Sequence, residues 1–501
     1  MKFDLISLKN YEGKIDMLAF DDLGLQTLFD DFYDHNWSDL HSVMELIPKE
    51  EEIRKRQLIF SDFLNDENDT LKTFKRLLEE LRDAYKNFLS IDGGLKSHIL
   101  FTQYIDKLVS FIDLGKDILN NLSFSSVEMN KMKDFFNEKV SDKDYIGLKE
   151  DLNKAKDASL VMTKLFVSYV TLDKFIKTNK FKENQVDLLS KLEGYMDDLN
   201  VKYQKEDVNL IRHDLDPYYF NRLDYIYPNE SKVLSDFFKK YRDNISYDYD
   251  TLSRELNYYL KIKLLFNYAK EKNVYYSMVD ITDDDNVYMN DLSDITIINK
   301  VDYIQSNDYV SDYIHHMQIV TGANGGGKTT YLRSIGANYI FFTSLGWVFA
   351  KSAKIKPIKH LFTHFPNDEN YQVGYGRLQD EIRRIDAVKG YFSQDTLYLM
   401  NETFSSTDED TAFKETKKLF KELEDKHVSV VFITHQQLLL QFIDREKIYL
   451  LNPIVDVDDN NRRTFKIRRV SSEVHAYAED ILRKYGLSKD ILDKKRRGSD
   501  V

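Results

Sequence analysis

Residues Gly322 to Thr329 read GANGGGKT, and this stretch decides how the C-terminal half of the chain is organised. A loop that holds phosphate needs glycines so that backbone N–H groups can converge on the anion, then a Lys for the terminal phosphates and a Ser or Thr hydroxyl for Mg²⁺. Gly322, Gly327, Lys328 and Thr329 stand at that spacing, with Ala323, Asn324, Gly325 and Gly326 filling the loop and Thr330 following it. The apolar run Met317 to Val320 predicts a strand before the loop. A helix starting at Lys328 would turn its N-terminal dipole towards the anion. ATP with Mg²⁺ is the expected ligand pair.

Downstream, apolar runs at Leu397 to Met400, Val428 to Ile433 and Ile448 to Leu451 alternate with amphipathic stretches at Tyr331 to Ser344 and Glu409 to Lys426. That alternation predicts a mostly parallel, helix-covered sheet. Upstream, Asp283, Asp284 and Asp285 mark a break, after which Ile295 to Ile298 also reads as β-rich. Before the break, from about Glu50 to Tyr268, apolar residues recur three or four apart with almost no Gly or Pro, which predicts helix. Leu252, Leu256, Leu260 and Leu264 form the clearest stripe, read as packing surface. The expected fold is therefore a mostly helical part (1-285), a P-loop NTPase domain of mostly parallel sheet type (286-470), and a final segment that ends in a basic tail (471-501).

Composition narrows the classes. The 501 residues suffice for two to four domains, and with no cysteine the chain has no disulfides, thiolate metal sites or cysteine nucleophiles. No basic, apolar leader and no run of 18 apolar residues occurs, so a cytoplasmic location and no membrane contact are expected. The net charge of -13 argues against a surface given over wholly to nucleic acid, although a local basic groove remains open.

Hydrolysis needs an acidic group near Mg²⁺ and a base that orients water. Asn401 and Glu402 stand at the tip of the Leu397 strand. Glu402 is the expected base, whereas Asn401 offers Mg²⁺ an amide oxygen but no charge. Slow turnover and a binding-only site both remain open. His435, at the end of the Val428 strand, can contact a γ-phosphate. His360 and His364 have i, i+4 spacing without an acidic companion in register and read as packing residues, and His315 and His316 as strand residues.

TGANGGGKTTYLRSIG (Thr321 to Gly336), LMNETFSST (Leu399 to Thr407) and FITHQ (Phe432 to Gln436), in this order, resemble the ATPase domain of the MutS DNA mismatch-repair family, and more closely its shorter MutS-related branch. SNDY (Ser306 to Tyr309) and TFKIRRV (Thr464 to Val470) extend the likeness on both sides. FDDLGLQTLFDD (Phe20 to Asp31) and RKRQLIFSDF (Arg54 to Phe63) carry a weaker one. The resemblance implies a helical core and lever domain over 1-285, an ABC-like ATPase domain over 286-470 and a helical dimerisation segment over 471-501, in a homodimeric, DNA-binding ATPase whose helical arms change grip with nucleotide, each site borrowing residues from the partner subunit. Gly376 stands where the family usually has a Ser reaching the partner's γ-phosphate, and Ser406 and Thr407 match a loop that crosses the dimer interface. The mismatch-reading N-terminal domain of the family is expected to be missing. Lys177, Lys180, Lys182, Lys239 and Lys240 are candidate contacts to DNA phosphates or solvated helix faces. A switch acting on a protein or ribonucleoprotein partner is the alternative.

Overall fold

The computed structural model describes residues 3–6, 11–16, 18–91, 93–175, 223–244, 248–366, 377–456 and 462–470. Helix and strand are mixed, and the chain divides into two compact units: Met1–Asp4 with Asn65–Asn257, and Leu5–Leu64 with Tyr258–Val501. The elements β1 (Tyr11–Ile15), α1 (Ala19–Asp22), α2 (Leu25–Tyr33), α3 (Ser38–Met44), β2 (Leu46–Pro48) and α4 (Glu50–Asn65) come first, and apart from Asn65 they fall in the second unit. Compactness thus divides the chain differently from a linear boundary at residue 285. The reason lies in pairing, since β1 is a strand of the second unit's main sheet.

The first unit is helical: α5 (Thr70–Leu89), α6 (Gly94–Asn120), α7 (Val127–Ser141), α8 (Lys143–Phe175), α9 (Pro228–Tyr241) and the start of α10 (Tyr249–Glu271). Apolar residues on one stripe of α5 meet α6 and α7 in an aromatic core, with Phe74 5.0 Å from Phe111 and 5.5 Å from Phe136 between ring centres. Gly115 is needed at that crossing, because a Cβ there would lie 2.7 Å from the Phe136 ring.

The α10 stripe behaves differently from its reading as one packing face. Leu252 and Leu256 are buried, but Leu264 is 51 % exposed. Four residues turn a helix by about 40° more than a full turn, so a strict period of four winds off the buried face within three steps. Tyr258, Tyr259, Ile262, Leu265 and Phe266 take over the core positions in the second unit.

The second unit continues with β3 (Ser277–Met278), β4 (Asp280–Ile281), β5 (Val287–Leu292), β6 (Asn307–Ser311), β7 (Met317–Val320), α11 (Lys328–Leu345), β8 (Trp347–Val348), β9 (Ser352–Ile355), β10 (His360–His364), α12 (Arg377–Val388), β11 (Thr396–Asn401), α13 (Glu409–Asp425), β12 (Ser429–Ile433), α14 (Gln437–Phe442), β13 (Ile448–Asp456) and β14 (Arg462–Arg469). Its main sheet has the order β14-β13-β7-β12-β11-β10-β1-β2, and only the two outermost pairings, β14 with β13 and β2 with β1, are antiparallel. One sheet face packs Met317, Ile319, Tyr398, Met400, Val430 and Phe432 against Leu419, Phe420 and Leu423 of α13. On the other face Leu399 approaches α11 so closely that a Cβ at Gly336 would lie 2.6 Å from it. A smaller sheet, β4-β9-β5-β6, lies in the same unit.

Two local expectations are corrected. Ile295–Ile297 is a 3-10 turn rather than a strand, because the Asp294 carboxylate accepts from the Thr296 N–H (3.0 Å) and hydroxyl (2.6 Å) and so offers the backbone a turn instead of a ladder. His315 and His316 lie in the turn before β7, not in the strand; Asp312 holds that turn by accepting from the backbone N–H of His315 at 2.7 Å.

Candidate active site

The loop between β7 and α11 is built as the sequence requires. Gly322, Gly325 and Gly327 hold φ values of 115°, 70° and 91°, a region that side-chain-bearing residues rarely adopt. The glycines also admit neighbours. A Cβ at Gly322 would lie 2.0 Å from Asn452 Oδ1, one at Gly325 2.2 Å from Arg463, and one at Gly326 2.8 Å from Pro453. The β13–β14 hairpin therefore sits against the loop, a partnership that the sequence reading passed over. TFKIRRV, which begins within β14 next to Arg463, was the available signal.

The Lys328 ammonium folds back over the loop and donates to the carbonyls of Gly322 (2.7 Å) and Ala323 (3.0 Å). Burial lowers its pKa, and the nearby Glu402 carboxylate works in the opposite direction. Thr329 and Thr330 occupy the first turn of α11, whose dipole adds partial positive charge. Backbone N–H groups, a buried cation and a helix start together make an anion cradle.

The carboxyl ends of three neighbouring strands are tied across the site. Thr434 N–H donates to Val320 O (3.1 Å), and Glu402 N–H donates to Ile433 O (2.8 Å). These bonds carry the ladder one residue beyond β12 and β11 and bring Lys328, His435 and Glu402 to one end of the sheet, where ligands of open parallel sheets bind. Glu402 has φ 52°, and its carboxylate lies 3.6 Å from His435 Nε2. Both side chains are about two-fifths exposed, at 39 % and 42 %, so water reaches them. Burial and the Lys328 charge lower the His435 pKa against the pull of Glu402, which keeps the imidazole neutral at pH 7.

Asn401 Oδ1 is buried with no hydrogen-bond partner among the described residues. An unsatisfied buried acceptor costs free energy unless an ion or water completes it. Among the described residues no three His, Asp or Glu side chains gather to hold a metal by themselves. The donor set instead suits a cation carried largely by phosphate oxygens and water, with the Thr329 hydroxyl and the Asn401 amide as protein partners.

The remaining candidates are scattered. Gly376 lies outside the described residues, as do Lys177, Lys180 and Lys182 and the segment 471-501. Ser406 donates to Glu381 (2.9 Å), and the Thr407 hydroxyl lies 3.4 Å from Asp408, both within the chain. Lys240 is paired with Asp151 (2.8 Å). His364 is buried beside Glu381 (3.9 Å), and the His360 ring packs against Tyr391 (5.0 Å). No described helix is long and apolar enough to cross a membrane.

Residues 318–495 match the family model for MutS domain V. A DNA mismatch repair protein MutS of Finegoldia magna is 22 % identical over 282 residues, 54 % of this chain and 32 % of that protein. One of Acetivibrio thermocellus is 20 % identical over 225 residues, 44 % and 26 % of the two chains. A mitochondrial DNA mismatch repair protein mutS homolog of Sarcophyton glaucum is 27 % identical over 126 residues, 25 % and 13 %. The matched stretches thus span a third or less of the length of these relatives.

Proposed function

We infer that this chain, a member of the MutS family through the domain V at residues 318–495, is a Mg²⁺-dependent ATPase of the P-loop type that binds DNA. The observation that carries the reading is the meeting of Lys328, Asn401, Glu402 and His435 at the carboxyl ends of adjacent parallel strands.

In this reading the N–H groups of the loop from Gly325 to Thr329 bind the β- and γ-phosphates. Lys328 exchanges its carbonyl partners for phosphate oxygens. Thr329 and Asn401 hold Mg²⁺, which when bound offsets the charge that develops on the phosphates. Glu402, fixed through its backbone to β12, orients a water and takes its proton, while neutral His435 donates to the γ-phosphate. Asn401 brings no charge to the metal, so turnover is slow. The protein acts as a homodimer, each site completed by the partner's segment around Gly376 and by its loop that carries Ser406 and Thr407, and helical arms alter their grip on duplex or branched DNA as ATP is bound and hydrolysed. Mismatch repair or recombination control are the processes such a clamp serves. Fluorescence anisotropy with duplex, forked and mismatched DNA at low salt, with and without ATP, tests the DNA part. No binding in any arm would end it.

The neutral Asn401 also favours a second reading, a nucleotide switch with weak hydrolysis acting on a protein or ribonucleoprotein partner. Ribosomes or RNA co-purifying with Glu402→Gln protein in ATP, in place of DNA, would select it.

A further inference from the structure

The catalytic candidate Glu402 begins a loop that its own strand does not hold. Glu402 and Phe404 both adopt left-handed backbone, with φ 52° and 62°. Non-glycine residues persist there only when the surroundings over-determine them. On one side the restraint is the Glu402 N–H bond to Ile433 O, at 2.8 Å. On the other it is a carboxylate from a different element. Glu381, in the second turn of α12, accepts from the buried backbone N–H of Phe404 (2.5 Å) and, through its other oxygen, from the Ser406 hydroxyl (2.9 Å).

We propose that Glu381 is a positioning residue for hydrolysis: its carboxylate clamps the loop after β11 so that Glu402 faces Lys328 and His435. The inference rests on the ATPase reading of that site. Several features suit Glu381 to the role. It is 19 % exposed, and His364 Nε2 lies 3.9 Å from Oε2, the oxygen that accepts from the Phe404 N–H. Burial works to raise the Glu381 pKa, but His364, the Phe404 N–H and Ser406 outweigh it, so the group stays ionised and accepts with both oxygens. Thr403 Oγ1 is buried without a partner among the described residues, so the hydroxyl next to Glu402 contributes no competing anchor. Between Glu402 and the α13 cap at Asp408 the loop is held from α12 by Glu381, which takes both the Phe404 N–H and the Ser406 hydroxyl, and from beyond β12 by Gln436 Nε2, which donates to Thr403 O at 3.3 Å.

Loss of the carboxylate would leave a buried N–H without its acceptor and a left-handed Phe404 without its restraint, and the loop would relax. Small displacements of a catalytic group are costly in rate, up to about a hundredfold. The P-loop itself does not touch Glu381, so nucleotide affinity should hold. Glutamine keeps a carbonyl oxygen for the Phe404 N–H, and it should rescue.

Two measurements on the full-length protein test this. In the first, steady-state ATP turnover and equilibrium binding of a fluorescent ATP analogue are compared for wild type, Glu381→Ala and Glu381→Gln. Turnover should fall at least tenfold in Glu381→Ala with Kd within about threefold of wild type, and Glu381→Gln should recover to within about threefold of wild-type turnover. Equal turnover in wild type and Glu381→Ala, equal impairment of both variants, or a Kd that moves in step with turnover would overturn the proposal. In the second, hydrogen exchange is followed in a peptide spanning residues 402–407 without nucleotide. Exchange should quicken in Glu381→Ala and return towards wild type in Glu381→Gln. Unchanged exchange in Glu381→Ala overturns the clamp whatever the turnover shows. A wild type that binds but never hydrolyses ATP, with loosened exchange in Glu381→Ala, overturns the ATPase reading and, with it, the claim that the clamp serves hydrolysis.

Discussion

Replacing Gly322 by alanine tests the loop geometry at its tightest point. Two costs can be separated. The first is conformational: at φ 115° an L-residue is strained by about 1–3 kcal/mol. The second is steric, since the new Cβ would lie 2.0 Å from Asn452 Oδ1 and 3.0 Å from Pro453 Cδ, and overpacking of this kind costs about 1–3 kcal/mol unless the neighbour moves. Asn452 is a side chain and can be removed. Gly322→Ala should therefore weaken nucleotide binding by the cost of restoring the cradle, at least about tenfold for the first 1.4 kcal/mol. Adding Asn452→Ala should return the steric share and leave the conformational one. Fluorescent-nucleotide titration of the wild type, both single variants and the double variant forms a cycle that reads the two terms apart. If Gly322→Ala bound nucleotide as tightly as wild type, or if Asn452→Ala restored binding fully, the left-handed cradle would not be what holds phosphate.

Other consequences follow from buried charge and from the metal side. Arg56 is fully buried and donates to Glu52 (3.0 Å) and to Ser344 O at the end of α11 (3.3 Å), so Arg56→Met should destabilise the second unit by about 3 kcal/mol, softened by the Lys55 ion pair to Glu52. Urea unfolding followed by tryptophan fluorescence reads that unit alone, because the only tryptophans, Trp37 and Trp347, both lie in it; a loss under about 1 kcal/mol would contradict the assignment. Asp294 has its carboxyl pushed up by burial to about 6 from 3.8, so the folded state prefers the protonated acid. Its contribution is then fully present below pH 3.8 and lost as pH rises through 6, on the order of 3 kcal/mol, and Asp294→Asn should flatten the urea midpoint between pH 5 and 7.5 relative to wild type; parallel profiles would refute this. Asn401→Asp should lower the Mg²⁺ concentration needed for half-maximal turnover, and an unchanged Mg²⁺ dependence would mean that the metal is held elsewhere.

The sheet and its loop were legible because their signals are local. GANGGGKT carries its own glycines, and Leu397 to Met400, all of Val428 to Ile433 but its first residue, and Ile448 to Leu451 lie in strands, since short apolar runs between amphipathic helices leave little choice. What escaped was set by distance along the chain. Nothing in residues 5–64 announces that β1 pairs in parallel with β10, some 350 residues later, through Lys14 and His360. Asn452, Pro453 and Arg463 could be tied to the loop glycines only through a folded hairpin. Glu381 sits in a helix rich in charge, where a carboxylate that captures a distant N–H looks like any solvated neighbour. Ile295 to Ile298 failed for a different reason, because one Asp before it outcompeted β-branched propensity.

The most direct measurement is single-turnover hydrolysis of ATP by wild type and Glu402→Gln, with binding measured in the same samples and Lys328→Ala as the control. Wild type should bind and slowly hydrolyse ATP, Glu402→Gln should bind within about threefold of wild type yet lose at least a hundredfold in rate, and Lys328→Ala should lose binding. Undiminished hydrolysis by Glu402→Gln, or retained binding by Lys328→Ala, would contradict the placement of the reaction at the ends of β7, β12 and β11.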